Sequence, residues 1–443
     1  MTLSRRRLVA MLAAAPFGTA VLSPPFARAR KPGPLPELVA DADLPYRRLD
    51  VEKSIARRSI VLADGRGLGA APQGCIIGVP AGARIPLPWW SWRLRRGGGY
   101  VDGARLVFRK EGEGRNPLLF APDKQGVIAV TNNARLRIGL SFEGVDLKAG
   151  IGGAALRPVA TRYIGLKNMR IFGGKNGLEV PSWPCIVEIE DCEISHCGRG
   201  DGYTHNLYVS YVEKFMARRS RFHSAKPEGH AFKCYARFTD IRDCLFANWL
   251  EWDDLKDGYY GLLPPLDIGA WGQSLLINNT IYRRDPARNV CIDYRNRQYN
   301  SGYSKYVPPG WGTEVVDYRR IDNRDAGNPY LFRHLLYGNR FMNGVLPDGS
   351  IDAAIRRDPG YALRNNGSAP WASHGAVADK QARRPGDWQP RNERVVIWAV
   401  GNRFEGVPFR RRFLTAPNKN PADTAPVIET DTLPAWARPL IGG

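Results

Sequence analysis

Eight short segments share one pattern of apolar and polar positions: Gly144 to Leu147, Asn168 to Ile171, Asp191 to Ile194, Arg219 to Phe222, Asp243 to Phe246, Asn278 to Ile281, Gly338 to Phe341 and Gly401 to Phe404. Each begins on Gly, Asn, Asp or Arg and ends three residues later on a large apolar anchor. Successive anchors lie 24, 23, 28, 24, 35, 60 and 63 residues apart. A period of about two dozen residues suits one coil of three short strands joined by turns. The gaps of 60 and 63 then hold long insertions or a less regular coil. A second element recurs after five of the anchors: Gly177 to Val180, Asn206 to Val209, Ala231 to Cys234, Pro265 to Ile268 and Cys291 to Tyr294. These segments alternate with period two, as a strand with one buried face does. Leu178, Leu207, Phe232, Leu266 and Ile292 point inward in this reading, and Glu179, Tyr208, Lys233, Asp267 and Asp293 form a column outside. Strands of neighbouring coils lie about 4.8 Å apart, so five coils make a track on the order of 20 Å long.

The pattern predicts an all-β chain, a single-stranded right-handed parallel β-helix with an N-terminal cap and an irregular C-terminal tail. The leucine-rich-repeat signature is missing, and no amphipathic helices alternate with the strands, which excludes the rival solenoid and a βα architecture. Residues 44–110 are expected to hold the cap and first strands, 111–345 the coil, and 346–443 an irregular region with a last coil near 398–404. Cys192 and Cys244 share a register two coils apart, as an inward ladder requires.

The N-terminus reads as an address label. Arg5, Arg6 and Arg7, the apolar stretch Leu8 to Leu22 and the small-residue site Ala27-Arg28-Ala29 resemble a twin-arginine signal over residues 1–29. A non-cleaved anchor is the alternative, and no later stretch is long enough to span a membrane. Removing Arg5, Arg6, Arg7 and Arg28 takes the formal charge from +21 to +17. A basic chain outside the cytoplasm favours an acidic polysaccharide over nucleic acid as partner. Oligomeric state is not legible. Seven cysteines without a CxxC or a His-rich companion speak against zinc, and their odd number excludes a complete disulfide framework. They read as buried thiols, with a single bridge as the alternative.

On its coil pattern the chain resembles, over residues 110–345, the pectate-lyase-like family of right-handed β-helix proteins. His205-Asn206-Leu207-Tyr208-Val209 and Gly229-His230-Ala231-Phe232-Lys233 resemble a paired motif of bacterial β-helix proteins. The Asp-Pro-His-Asp signature of alginate epimerases and the paired aspartates of polygalacturonases are not found. The resemblance implies the fold and leaves lyase, hydrolase and binding protein open.

His205 and His230 share a register on adjacent coils, with Tyr208 and Lys233 three residues later. A lyase acting on a uronate polymer needs a base for the proton α to the carboxylate, a cation for the developing enolate and an acid for the leaving oxygen. The expected roles are His230 or His205 as base, Lys233 as the cation with Arg237 beside it, and Tyr208 as acid. Asn206, Glu179, Asp267 and Asp293 are expected to contact the polymer. The competing readings are a structural histidine, a surface tyrosine and a cross-coil charge pair at Lys233. A hydrolase would use Asp267 and Asp293 as its carboxylate pair. Asp253, Asp254 and Asp257 beside Asp267 make calcium the one candidate cofactor, but they lack EF-hand spacing, which favours reading them as a solvated loop. Trp89, Trp90 and Trp92, followed by Arg93, Arg95 and Arg96, read as a sugar-stacking patch or as part of the cap.

Overall fold

The computed structural model describes residues 37–441 except 67, 69–70, 88–89, 95–100, 102, 122–127, 133–137, 160, 182–184, 202, 211, 228, 237, 260, 262–263, 270–272, 284–289, 296–332, 345–360, 367–395, 407–412 and 416–426. The proposed signal segment and Arg237 therefore lie outside the described residues, as do Trp89, Arg95 and Arg96.

One coil shows the plan. Tyr163–Lys167 lies in sheet A, Arg170–Gly173 in sheet B and Leu178–Val180 in sheet C, and Ile186–Glu190 then returns to sheet A beside its predecessor. Repetition gives a twelve-stranded sheet A and ten-stranded sheets B and C, each paired in parallel with the coil before and after. This is a right-handed parallel β-helix. Among the described residues no helix is long and apolar enough to cross a membrane.

The anchor motif has a conformational cause. Gly144, Asn168, Asp191, Arg219, Asp243, Asn278, Gly338 and Gly401 all adopt positive φ, between 44° and 66°. One left-handed residue turns the chain from sheet A into sheet B, and Gly, Asn and Asp tolerate that conformation best. Arg219 is the exception. Its guanidinium grips Glu190 and Asp191 of the preceding coil, with Nε 2.8 Å from Asp191 Oδ1.

The residue after each turn points inward and forms a ladder. Ser220 Oγ accepts the Cys192 N–H at 3.1 Å, and the Asn279, Asn339 and Asn402 side chains accept the N–H of Cys244, Asn279 and Asn339, each at 2.9 Å. The anchors behind them stack, with the Phe222 and Phe246 rings 5.2 Å apart and Phe341 and Phe404 5.1 Å apart. Phe232 of sheet C meets Phe215, Phe222 and Phe246 edge to face, which joins all three sheets in one core.

Ile281 pairs with Phe341, and Phe341 with Phe404, so the long gaps each hold one coil with insertions. The coil also reaches beyond 111–345. Arg84–Pro86 and Trp90–Leu94 already belong to sheets B and C, and Val396–Val400, Phe413–Thr415 and Val427–Thr430 extend the stack toward the C-terminus. Trp90 and Trp92 thus lie on a strand of sheet C. The helix Val51–Arg57, capped by the Asp50 carboxylate on the Lys53 N–H, sits at the first coil, where Val51 and Ile60 pack on the core. All seven cysteines are buried free thiols.

Candidate functional site

The outward column of sheet C has the expected register. Glu179 pairs with Tyr208, Tyr208 with Lys233, Lys233 with Asp267 and Asp267 with Asp293, while Leu178, Leu207, Phe232, Leu266 and Ile292 form the inward row. The column is not an open track. Lys233 is 4% exposed and Asp267 and Asp293 are 0% exposed, and only Glu179 and Tyr208 are half-buried. Charged groups removed from water in this way must find partners or give up their charge.

The partners come from the turn before each sheet C strand. Asn176, His205, His230 and Pro264 each stand two residues before an inward residue of the row. Asn176 Oδ1 accepts the His205 N–H at 2.7 Å, and His205 Nδ1 accepts the His230 N–H at 3.0 Å. Pro264 has no N–H, and here the pattern reverses: His230 Nδ1 donates to the Pro264 carbonyl at 2.7 Å. Both imidazole rings are buried, with centroids 5.2 Å apart.

These bonds fix where the ring protons sit. His205 Nδ1 is an acceptor, so a neutral ring carries its proton on Nε2, and Nε2 lies 3.1 Å from Lys233 Nζ. That contact is a hydrogen bond only when the amine turns a lone pair to the ring, as a neutral lysine does. His230 is arranged the opposite way. A carbonyl can only accept, so Nδ1 is protonated, and Nε2 lies 3.2 Å from Asp267 Oδ2. The Tyr235 hydroxyl donates to the same Asp267 oxygen at 3.2 Å. Lys233 Nζ sits 5.2 Å from the Tyr208 ring centroid and 5.9 Å from that of Tyr235.

Three expected roles change with this geometry. His230 donates from Nδ1 to the Pro264 carbonyl and is 0% exposed, an arrangement that does not suit a base reaching a polymer. Asn206 is fully buried; its Oδ1 accepts the Cys197 N–H at 2.9 Å and its amide donates to the His223 carbonyl, so it holds the turn together and does not reach a ligand. Glu179 is held by Arg157 at 3.1 Å and by Asn176 at 2.9 Å, at the edge of the column.

A second constellation, not singled out from the sequence, lies at the other end of the same turn. Ser195-His196 on one coil stands over His223-Ser224 on the next. The inverted dipeptides close a ring with Glu193 and Asp254. His196 Nδ1 is 2.9 Å from Ser195 Oγ and its Nε2 2.6 Å from Asp254 Oδ1, while His223 Nδ1 is 2.8 Å from Ser224 Oγ and its Nε2 3.4 Å from Glu193 Oε1. Ser195 donates to Glu193 at 3.2 Å and Ser224 to Asp254 at 2.5 Å. The His223 hydrogen bond, outweighing burial, pulls Glu193 down to about 2. For Asp254 burial acts upward, but hydrogen bonds from Ser224, His196 and the backbone of Glu251 and Leu250 hold it at about 2. The ring clasps the loop around Asp254 to the coil. The Ser-His and His-Ser pairs directly after the Ile194 and Phe222 anchors were the available signal.

Asp253 pairs with Lys256 and Asp254 belongs to the ring, and among the described residues no group of three or more His, Cys, Asp or Glu side chains could hold a metal ion. The calcium candidate has no support in this arrangement. Compared with known proteins, the chain matches no family model, no curated sequence and no solved structure.

Proposed function

We propose that this chain is a polysaccharide lyase that cleaves a uronate-containing acidic polysaccharide by β-elimination, with Lys233 as the base. The observation that carries the reading is the Lys233–His205 contact, in which an imidazole whose Nδ1 is already taken presents its remaining proton to a buried amine. Burial and that hydrogen bond both favour the neutral amine, the form a base requires. In the reaction the amine takes the proton α to the carboxylate. The electron pair left behind becomes the new double bond, and the glycosidic oxygen leaves with a proton from Tyr208. The ammonium that forms faces the rings of Tyr208 and Tyr235, so its charge develops where π-faces stabilise it. Lys233 is thus assigned the base role first expected of a histidine.

The hydrolase reading is less well supported, since Asp267 and Asp293 are both fully buried and Asp267 is held by His230 and Tyr235. That same burial favours, as a second reading, a non-catalytic binding or assembly protein in which the column only joins coils. We place the protein outside the cytoplasm on the Arg5 to Leu22 pattern. With +17 after the signal is removed, its affinity for an anionic polymer falls with salt, while a neutral glucan binds weakly throughout.

The test is a panel of acidic polysaccharides followed by ultraviolet absorbance, because elimination creates a double bond and hydrolysis does not. Lys233→Met is expected to lower the rate by about 100-fold or more while binding persists. A fully active variant removes Lys233 from the mechanism. Binding without any unsaturated product across the panel favours the assembly reading.

A further inference from the structure

We infer that the outer face of sheet A carries a ligand site of its own, a pocket centred on Glu188 that takes one amino-sugar ring with its ammonium on that carboxylate. The inference does not depend on the reading of Lys233 as a base.

Sheet A is covered near both ends of its outer face. Toward the N-terminus Val39 and Leu44 pack on Ile76 and Val107, and toward the C-terminus Leu433, Trp436 and Leu440 pack over Leu275, Ile277 and Leu335. In the window between them the outward middle row turns polar, running Ser141, Gly165, Glu188, Met216 and Asp240 at one register across five strands. The window holds a cavity of about 210 Å³. That is below the roughly 300–1,000 Å³ of pockets for drug-sized ligands and suits a single ring.

Gly165 makes the floor. A Cβ at this position would come within 2.9 Å of both Cε1 and the hydroxyl of Tyr163, so the missing side chain is what lets that ring lie across the floor. The ring reaches the next coil, where its hydroxyl donates to Glu188 Oε2 at 2.7 Å. Burial and that bond push the Tyr163 hydroxyl up, so it stays a donor. The Arg105 guanidinium lies 5.4 Å from the ring centroid and steadies it.

Charge pairing sets Glu188 apart from the other groups of the lining. Glu143 is held by Arg109 and Glu190 by Lys167 at 3.0 Å, while Arg105 is paired with Asp41 and Arg218 with Asp240 at 2.7 Å. Glu188 has the Tyr163 hydroxyl and, among the described residues, no cation. A half-buried carboxylate in that position favours a ligand that brings its own positive charge. Among the described residues no group of three or more His, Cys, Asp or Glu side chains could hold a metal ion, which favours an ammonium. Met216 offers an apolar surface to the face of a ring, and the exposed Lys167 ammonium has donors left over from Glu190 for ring hydroxyls. An ammonium, an apolar face and hydroxyls on one small ring define an amino sugar.

The experiment is calorimetric titration of the full chain with glucosamine, glucose, N-acetylglucosamine and ethylammonium, at slightly acidic pH where the amines are charged. Amide NMR shifts locate the site. Glucosamine is expected to bind with millimolar affinity and to shift the amides of Gly165, Glu188 and Met216. The other three probes each lack the ammonium or the ring and are expected to bind about tenfold or more weakly. Glu188→Gln is expected to remove the advantage of glucosamine over glucose. Gly165→Ala pushes the Tyr163 ring into the cavity and is expected to weaken glucosamine by about tenfold or more. No binding of glucosamine, binding equal to that of glucose or ethylammonium, or shifts confined to sheet C would overturn the inference. So would an unchanged preference in folded Glu188→Gln, and unchanged affinity in Gly165→Ala decides the matter in the same direction if Glu188→Gln does not fold.

Discussion

Asn339→Ala tests whether the inward ladder holds the coils in register. Asn339 is fully buried, and its Oδ1 accepts from the Asn279 N–H at 2.9 Å and the Asn279 Nδ2 at 3.0 Å, while its Nδ2 donates to the Leu276 carbonyl at 2.8 Å and to Asn402 Oδ1 at 3.0 Å. Not all of these partners are stranded by truncation. Asn279 Nδ2 keeps the Ile241 carbonyl at 3.1 Å, and Asn402 Oδ1 keeps the Asn339 N–H at 2.9 Å. The Asn279 N–H loses its acceptor in a dry corner, which costs about 1–3 kcal/mol, and the remaining lost bonds add about 1 kcal/mol each. The expected destabilisation is about 4–6 kcal/mol. Asn402, one coil further and half-buried, gives the internal control: water replaces part of what Asn402→Ala removes, and about 1 kcal/mol or less is expected. Equilibrium unfolding in urea measures both variants, and native-state hydrogen exchange of the amides around Asn279 locates the loss. A cost below about 0.5 kcal/mol for Asn339→Ala, or equal costs for both variants, would refute the ladder as a source of stability.

Acid should loosen the loop around Asp254 before the coil unfolds. Glu193 and Asp254 are both depressed to about 2, so their contribution is complete above the unfolded carboxylate range near 4 and is lost as pH falls through about 2. Limited proteolysis of the loop against pH should show this limb, and Asp254→Asn should flatten it. Burial pushes the thiols up, Cys75 to about 11 and Cys192, Cys234, Cys244 and Cys291 to about 12, so the native protein should resist a thiol reagent at pH 8, a value set by the reagent, and react at all seven only after denaturation. Rapid labelling of any native thiol would contradict that packing. Phe232→Ala should cost about 3–5 kcal/mol, because three rings lose a shared partner. A cost under about 1 kcal/mol in urea unfolding would mean that the corner recloses around the smaller side chain.

The fold was legible in the chain because two local rules repeat. A left-handed residue precedes each of the eight sheet B strands from Asp146–Ala149 to Arg403–Glu405, which restricts residues such as Asn168 and Gly338 to a few types, and one buried face imposes the alternation of Leu207, Tyr208 and Val209. The anchors Phe341 and Phe404 were legible, but the sequence left open whether each long gap holds one coil with insertions or a less regular coil, since nothing in a gap of 60 residues announces that Ile281 and Phe341 are neighbours. At the candidate site the register of Tyr208, Lys233 and Asp267 was legible, and the protonation states were not. These depend on which atoms the backbone offers at Pro264 and His230, and on burial that strand periodicity does not report. The Ser195-His196 and His223-Ser224 pair escaped notice because its members are short polar dipeptides, inverted in order, and they meet only once the coils are stacked.

The central claim is that Lys233 is a neutral amine in the resting protein. The direct measurement is a pH titration of the Lys233 side chain by NMR, following the ε-methylene and ζ-nitrogen signals, assigned by comparison with Lys233→Met. The account predicts the signature of an uncharged amine at neutral pH, with the ammonium appearing only on acidification. A Lys233 that stays an ammonium through neutral pH and releases its proton near the ordinary lysine value of about 10.4 would contradict it.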